Sequence, residues 1–263
     1  KCTDICRMSI IGILKTGAEG VMDLFLPRVC ITCGERLLMN ERHLCLGCMM
    51  DMPLTRYWDR SHNPMADRFN EVVQKGLDPT LGHERYAYAC ALFFYHSEAG
   101  YRHIPYQIKY HGNLEAGKYF GMLLGKKMAS GGLWGDVDMI IPVPLHWARQ
   151  WKRGYNQAEV IARAAAEALG VPVRTDILMR KRRTRTQIKL DIEGKARNVS
   201  GAFSVRQDAA IIFKDGGSVR HIVLIDDVFT TGSTLGSCFR ALREVFPPHV
   251  RISVATLGFV GGA

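Results

Sequence analysis

The sequence predicts an α/β fold with a mostly parallel sheet, preceded by a small cysteine-rich module. From residue 83 onward, short apolar runs alternate with helical periodicities, which is typical of βαβ units. The segment His221–Asp226 is almost entirely apolar before its acids, as expected for a parallel strand that is buried on both faces. Six of the eight cysteines lie in the first fifth of the chain, which predicts a separate module there.

Composition divides the chain into four parts. The apolar spacing of residues 1–27 predicts a helical lead-in, and residues 28–56 contain the paired cysteines. Residues 57–82 are polar and contain several Pro and Gly, which predicts a linker, and residues 83–263 form the larger domain. In that domain the pattern predicts strands over 86–95, 139–143, 171–178, 221–226 and 252–257, and helices over 99–110, 114–129, 147–169 and 235–245. In the long helix over 147–169, Trp151 has the spacing of a core residue.

Two C-x2-C pairs, separated by eleven residues, indicate a metal site. They comprise Cys30, Cys33, Cys45 and Cys48. Four thiolates in two tight pairs suit tetrahedral zinc, and such a closed site is structural because it has no open position for chemistry. Disulfides and iron remain alternatives, and His43 is an alternative ligand.

The segment Ile222–Thr234 has the pattern of a phosphate-binding turn after a buried strand. The turn consists of Thr230, Thr231, Gly232, Ser233 and Thr234. Backbone N–H groups and hydroxyls at the start of a helix favour a phosphate. Asp226 and Asp227 suit hydrogen bonds to a diol, or a divalent metal. Phosphate and diol together describe a ribose 5-phosphate, and neither a P-loop nor a dinucleotide fingerprint is present.

The net charge of +10 is concentrated in one segment. Between Arg180 and Arg197 there are eight Lys or Arg residues against two acids. Such a run is either a solvated loop or a binding surface for polyanions such as pyrophosphate or nucleic acid.

The motifs resemble those of a known family. The loop at residues 222–234 is similar to that of the type I phosphoribosyltransferases, which share a Rossmann-like, mostly parallel sheet. The segment Pro142–Leu145, followed by Arg-Gly-Tyr-Asn-Gln at 153–157, resembles the ComF family of bacterial competence proteins. The stretch from Arg182 to Phe203 and the short motif around Lys109 are also similar to that family, as is an N-terminal zinc knuckle.

The resemblance implies a site for phosphoribosyl pyrophosphate (PRPP) with Mg²⁺. The segment over about 180–203 would be a lid, in which Arg183 and Arg185 neutralise pyrophosphate and act in catalysis with Asp226 and Asp227. Besides the acids and the turn 230–234, the PRPP-binding residues would be Pro144, Leu145, His146 and Lys109. The residues expected to contact DNA or form the lid are Arg153, Arg182, Arg183, Arg185, Lys189 and Arg197.

The resemblance further implies a role in DNA uptake, in which the protein handles single-stranded DNA in the cytoplasm. Its partners would be PRPP, single-stranded DNA and a DNA-uptake helicase or recombination proteins. The alternative is a phosphoribosyltransferase with an unknown acceptor. Thr230 stands where purine-salvage enzymes have an Asp, which argues against purine salvage. No apolar stretch is long enough to span a bilayer, and the N-terminal apolar patch lacks the flanks of a signal peptide.

Overall fold

The computed structural model describes residues 27–75, 84–96, 98–180, 201–213 and 218–261. The predicted lead-in lies outside these ranges up to residue 26, and so does most of the predicted lid, with Arg182, Arg183, Arg185, Lys189 and Arg197. The chain forms two compact units, one up to Met52 and the other from Pro53. None of the described helices is both long and apolar enough to cross a membrane.

The first unit contains tight turns and one short helix, α1 (Leu46–Met50). The second unit begins with a 3₁₀ turn at Tyr57–Asp59 and continues in the following order. Its elements are α2 (Pro64–Gln74), β1 (Ala89–Phe94), a 3₁₀ turn (Gly100–Arg102), α3 (His103–Tyr110), α4 (Leu114–Ser130), β2 (Met139–Pro142), α5 (Trp147–Arg153), α6 (Gln157–Leu169), β3 (Leu178–Arg180), β4 (Phe203–Val205), α7 (Gln207–Ile212), β5 (His221–Phe229), α8 (Ser233–Arg243) and β6 (Arg251–Phe259).

The predicted parallel sheet is confirmed. Four strands pair in the order β1-β6-β5-β2, and every pairing is parallel. β3 and β4 form a separate antiparallel pair. Helices α4 and α6 pack on one face of the sheet, whereas α2 and α8 lie against each other and contact β1 and β5 respectively. Strands β5 and β6 are buried along nearly their whole length, because helices cover both faces.

Helices α4 and α6 approach each other unusually closely because α4 carries a glycine at every fourth position. A Cβ atom added at Gly121 would lie 2.6 Å from the carbonyl oxygen of Ile161, and one at Gly125 would lie 2.5 Å from that of Ala165. Only glycine avoids these contacts. The two helices therefore form a tightly packed layer on one face of the sheet.

The predicted linker over 57–82 is wrong for the part that the structure describes. Helix α2 lies in it, and Met65, Phe69 and Val73 on that helix are buried. The Phe69 ring packs edge-on against the rings of Phe229 and Phe239. The segment therefore belongs to the core of the larger unit, and its apolar spacing was hidden by the flanking Pro, Gly and Asp residues.

Two further predictions of elements need correction. The single helix predicted over 147–169 is two helices, because Gly154 adopts a left-handed conformation at φ 79° and Asn156 caps the start of α6. Trp151 is consequently not a core residue and is 88% exposed. The strand predicted over 171–178 is reduced to an isolated bridge at Val173, followed by β3.

Candidate functional site

The four paired cysteines converge in the first unit, as predicted. One ligand atom from each of Cys30, Cys33, Cys45 and Cys48 can be chosen so that all lie within 4.8 Å of one another. The sulfur atoms of Cys33 and Cys45 are 3.7 Å apart, which is the edge of a tetrahedron with metal–sulfur bonds of about 2.3 Å. This separation excludes a disulfide between them. The cluster has the arrangement of a metal site.

Backbone groups favour the thiolate form of Cys30, whereas burial and the neighbouring thiols raise the pKa of Cys48. Burial raises the pKa of Cys30, but backbone N–H groups of Cys33, Cys45 and Thr32 outweigh it and lower that pKa to about 7. The tight turn that carries Cys33 is closed by Gly34, whose φ of 79° disfavours a side chain. Because thiolates are the form that ligates metals, these backbone groups prepare Cys30 to ligate a cation.

Strand β5 extends further than the sequence predicts. It continues through the two acids and ends at Phe229, so Asp226 and Asp227 lie within the strand. Successive strand residues point to opposite faces, and the two carboxylates therefore meet different parts of the protein. They do not form a pair of neighbouring ligands on one face.

Asp227 faces the layer that contains α3. Its Oδ2 atom lies 2.9 Å from Nζ of Lys109, and the Asp227 side chain is only 6% exposed. Burial alone would lower the pKa of Lys109, but the charge and hydrogen bond of Asp227, together with the Asp226 charge, outweigh burial and raise it. Lys109 is therefore held as a cation against this acid, and the structure brings together two residues that the sequence singled out separately.

Asp226 has different surroundings. Burial, and then the neighbouring Asp227 charge, raises its pKa to about 7, while Lys109 and Arg180 oppose this rise. Arg180 lies at the end of β3 with its guanidinium 5.1 Å from the centre of the Phe203 ring. Sequence analysis counted Arg180 only within the basic run. Its signal was its position as the first residue of the predicted lid, directly after a predicted strand.

The turn after β5 begins a helix, as expected. Gly232 adopts φ 77° directly before α8, and a Cβ atom there would lie 2.8 Å from the Phe229 ring. The hydroxyls of Thr231 and Ser233 are hydrogen-bonded at 2.8 Å. Arg68 of α2 donates to the carbonyl oxygen of Val260 at 2.8 Å and contacts that of Thr230 at 3.4 Å. Sequence analysis missed Arg68, because it lies in the segment assigned as a linker.

The Pro-Val-Pro segment lies beside this turn at the carboxyl end of the sheet. β2 pairs with β5, and the Val143 N–H donates to the carbonyl oxygen of Ile225. The buried side chain of Asn156 donates to the carbonyl oxygen of Val143 at 3.0 Å. His146 is buried and accepts from the Ala148 N–H at 3.2 Å. The segment Pro144–His146 is thus fixed between β2 and α5.

The Arg-Gly-Tyr-Asn-Gln string contacts the helix that carries Lys109. The Tyr155 hydroxyl donates to the carbonyl oxygen of Ile108. The Arg153 guanidinium lies 5.2 Å from the centre of the Tyr110 ring and donates to Gln157 Oε1 at 3.2 Å. These contacts hold the residues on either side of Lys109. The string therefore has a structural role that sequence analysis did not identify.

The fold and the site define a class of protein. It is an α/β protein with a parallel sheet, preceded by a small N-terminal module of four clustered cysteines, as the sequence predicts. One strand of the sheet carries two acids and leads through a glycine turn into a helix.

Curated relatives confirm the narrower resemblance. Competence protein F of Haemophilus influenzae is 36% identical over 115 residues, which cover 44% of this chain and 48% of that protein. DNA utilization protein YhgH is 33% identical in Salmonella typhi and 32% in Escherichia coli K12, over 105 residues that cover 40% of this chain and 43% of each relative. The chain thus spans about half the length of the curated relatives it matches. Over the matched part, the chain is thus similar to a protein named for competence and to one named for DNA utilization.

Comparisons with family models and with solved structures do not narrow the class of protein further. No family model matches the chain. Glutamine PRPP amidotransferase from B. subtilis, complexed with ADP and GMP, is 21% identical with a TM-score of 0.34, covering 54% of this chain and 26% of that one. Adenine phosphoribosyl transferase from Trypanosoma brucei is 14% identical with a TM-score of 0.32, covering 75% of this chain and 80% of that one. These TM-scores are too low to establish a common fold.

Proposed function

We propose that this protein binds PRPP, or a ribose 5-phosphate, with Mg²⁺, and handles single-stranded DNA in the cytoplasm during natural transformation. The observation that carries the first part is the end of β5. There, one strand presents Asp226 and leads directly into the turn Thr230–Thr234 at the start of α8. The second part is supported by the printed names of the relatives, which are a competence protein and a DNA utilization protein.

The site chemistry suits a phosphorylated sugar. The first N–H groups of α8 have no partner within the helix, and with the hydroxyls of Thr231 and Ser233 they favour a phosphate. A carboxylate at the end of β5 suits the hydroxyls of a ribose ring. Mg²⁺ is commonly held by one or two carboxylates together with substrate phosphates, a role that Asp226 would fill.

For the cysteine cluster we propose structural zinc. The sulfur separations fit a ZnS₄ tetrahedron, and four protein ligands leave no position for a substrate. Metal analysis of the purified protein should give one zinc per chain. Cys48→Ser should reduce this content, whereas Cys90→Ser, which changes a buried cysteine in β1, should not. Full zinc in the Cys48 variant would contradict the assignment.

Titration calorimetry tests the PRPP site. Wild-type protein should bind PRPP in the presence of Mg²⁺, and Asp226→Asn should weaken this binding by at least about tenfold, since it removes a charged hydrogen-bond partner. The control is Asp176→Asn, which removes an acid from a surface pair with Arg174. If the wild-type protein does not bind Mg²⁺–PRPP, the first part of the proposal fails.

Two exposed tryptophans support the DNA-binding part. Trp147 is 71% exposed and Trp151 is 88% exposed, and they lie four residues apart on α5, so they share one side of that helix. Aromatic side chains beside basic residues are the usual platform for single-stranded nucleic acid, and each stacked base contributes about 1–3 kcal/mol.

Binding of a labelled oligonucleotide tests this platform. Trp151→Leu keeps an apolar side chain but removes the stacking surface, so it should weaken binding by about tenfold, corresponding to about 1.4 kcal/mol. Val29→Leu, an exposed substitution in the first unit, provides the control. Affinity should also fall steeply with salt. An affinity that is independent of salt and unchanged in Trp151→Leu would refute the DNA-binding part.

A cavity favours a second candidate, a phosphoribosyltransferase with a small acceptor. A space of about 420 Å³ lies beside the Pro-Val-Pro segment, within the size range of small-ligand sites. Its lining includes Pro144, Leu145, Trp147, Met179 and Arg180. Pyrophosphate release from PRPP, measured with candidate amines and bases, distinguishes the two. Release that depends on an acceptor supports the transferase, whereas binding without release supports a binding protein.

A further inference from the structure

Lys109 forms an ion pair with a buried acid, although its sequence context is that of a surface lysine. Its Nζ atom lies 2.9 Å from Oδ2 of Asp227, and the two side chains are 33% and 6% exposed. Asp227 Oδ1 accepts the N–H of Val228, so one oxygen of this carboxylate is hydrogen-bonded and the other is ion-paired.

The fold fixes Lys109 from both sides. Tyr155 holds the carbonyl of Ile108, and Arg153 packs on Tyr110, so the residues before and after Lys109 are tied to the connection between α5 and α6. Its position is therefore imposed by the fold around the last turn of α3, which suits a fixed charge better than a long, freely moving phosphate ligand.

The charge of Lys109 has two consequences for Asp227. A buried carboxylate without a counter-charge costs several kcal/mol, and the Lys109 ammonium removes this cost. It also occupies the position in which a divalent cation would contact Asp227 Oδ2. A metal ion that brings phosphate oxygens with it needs only one further carboxylate, and Asp226 lies on the opposite side of β5 from Asp227.

We propose that Lys109 serves as the permanent counter-charge of Asp227 and prevents a divalent metal ion from ligating this carboxylate, so that of the two acids only Asp226 is left for a metal. This inference rests on the proposed Mg²⁺–PRPP site and extends it. It differs from the expectation that Lys109 contacts the phosphates, because removal of the lysine then has the opposite effect on metal binding.

Manganese binding without any phosphorylated ligand tests the proposal. Mn²⁺ is titrated into full-length, zinc-loaded protein and followed by electron paramagnetic resonance. Lys109→Met should bind Mn²⁺ at least about tenfold more tightly than wild type, since Asp227 is then free to ligate it. Lys118→Met is the matched control, because Lys118 forms a surface pair with Glu115 at a similar distance, 2.7 Å. Lys109→Met/Asp227→Asn should return to the wild-type affinity.

A second variant covers the case in which Lys109→Met does not fold. Tyr155→Phe releases the carbonyl of Ile108 without leaving a buried charge unpaired, and it should raise Mn²⁺ affinity by a smaller factor. The proposal is overturned if neither variant binds Mn²⁺ better than Lys118→Met. It is also overturned if wild type binds Mn²⁺ alone as tightly as Lys109→Met. Failure of wild type to bind Mg²⁺–PRPP would instead remove the proposed function and leave the Mn²⁺ comparison to decide the role of Lys109.

Discussion

Replacing Asp226 by asparagine should stabilise the unliganded protein, and the gain should grow with pH. Burial and the Asp227 charge raise the pKa of Asp226 from 3.8 to about 7, so the folded protein holds this proton more tightly than the unfolded chain does. Such a group favours folding at low pH, and this advantage is lost as pH rises from about 4 to about 7. The asparagine side chain carries no charge and keeps the oxygen that accepts the N–H of Asp227.

The size of the effect follows from the two pKa values. Their difference corresponds to about 4 kcal/mol of unfolding free energy at pH 8.5 and about 2 kcal/mol at pH 5.5. The assay is urea unfolding of both proteins over this pH range, and the result is the difference between them at each pH. Both proteins contain the same cysteine cluster, so any loss of bound metal at low pH cancels in that difference.

Asp176→Asn provides a control in which the expected change in the free energy of unfolding has the opposite sign. The hydrogen bond from Arg174 lowers the pKa of this carboxylate. The stabilisation that the ionised Asp176 gives to the folded protein is therefore fully present well above pH 4. This variant should be slightly less stable than wild type by an amount that does not change between pH 5.5 and 8.5. The reasoning on Asp226 would be refuted if Asp226→Asn were less stable than wild type at pH 8.5, or if its gain were the same at both pH values.

Two further predictions concern stability and use the same unfolding assay. Gly125→Val should lose about 1–3 kcal/mol, because its side chain would collide with the backbone of α6, whereas Gly135→Ala, with nothing within 4 Å of its Cβ, should change stability by less than about 0.5 kcal/mol. Arg243→Met should lose about 3–5 kcal/mol, because it leaves Glu84, 2.7 Å away and buried, without its partner. Arg243 also donates to three backbone carbonyl oxygens, so the double variant Arg243→Met/Glu84→Gln should recover only the part of the loss that is due to the unpaired acid, and no recovery would contradict the buried-pair explanation.

Much of the fold could be predicted from the sequence, because the apolar pattern is strong where strands are fully buried. The run from Ile222 to Ile225 allows only a core strand, and its parallel partners follow from the alternation with helices. The cysteine cluster was accessible for a similar reason, since two C-x2-C pairs restrict the possible geometries. In both cases, local chemistry determines the tertiary arrangement.

Other features depended on contacts between distant segments. Helix α2 was hidden because a polar surface masks the buried side chains of Met65 and Phe69. The ion pair of Lys109 and Asp227 joins residues on α3 and β5 that are far apart in the chain, and no local pattern predicts it. The exposure of Trp151 was missed because its spacing fits a continuous helix, and the break at Gly154 turns it to solvent.

The position of β6 has a consequence for how the chain acquires its structure. β6 lies between β1 and β5, and within the described residues it is the strand that pairs with β1. During synthesis, β1 therefore cannot form these hydrogen bonds until residues 251–259 have been made, and β5 is made before them. Pairing over so long a separation slows folding and leaves apolar strand edges exposed. We expect newly made chains to depend on chaperones, and a chain that stops before Arg251 to aggregate.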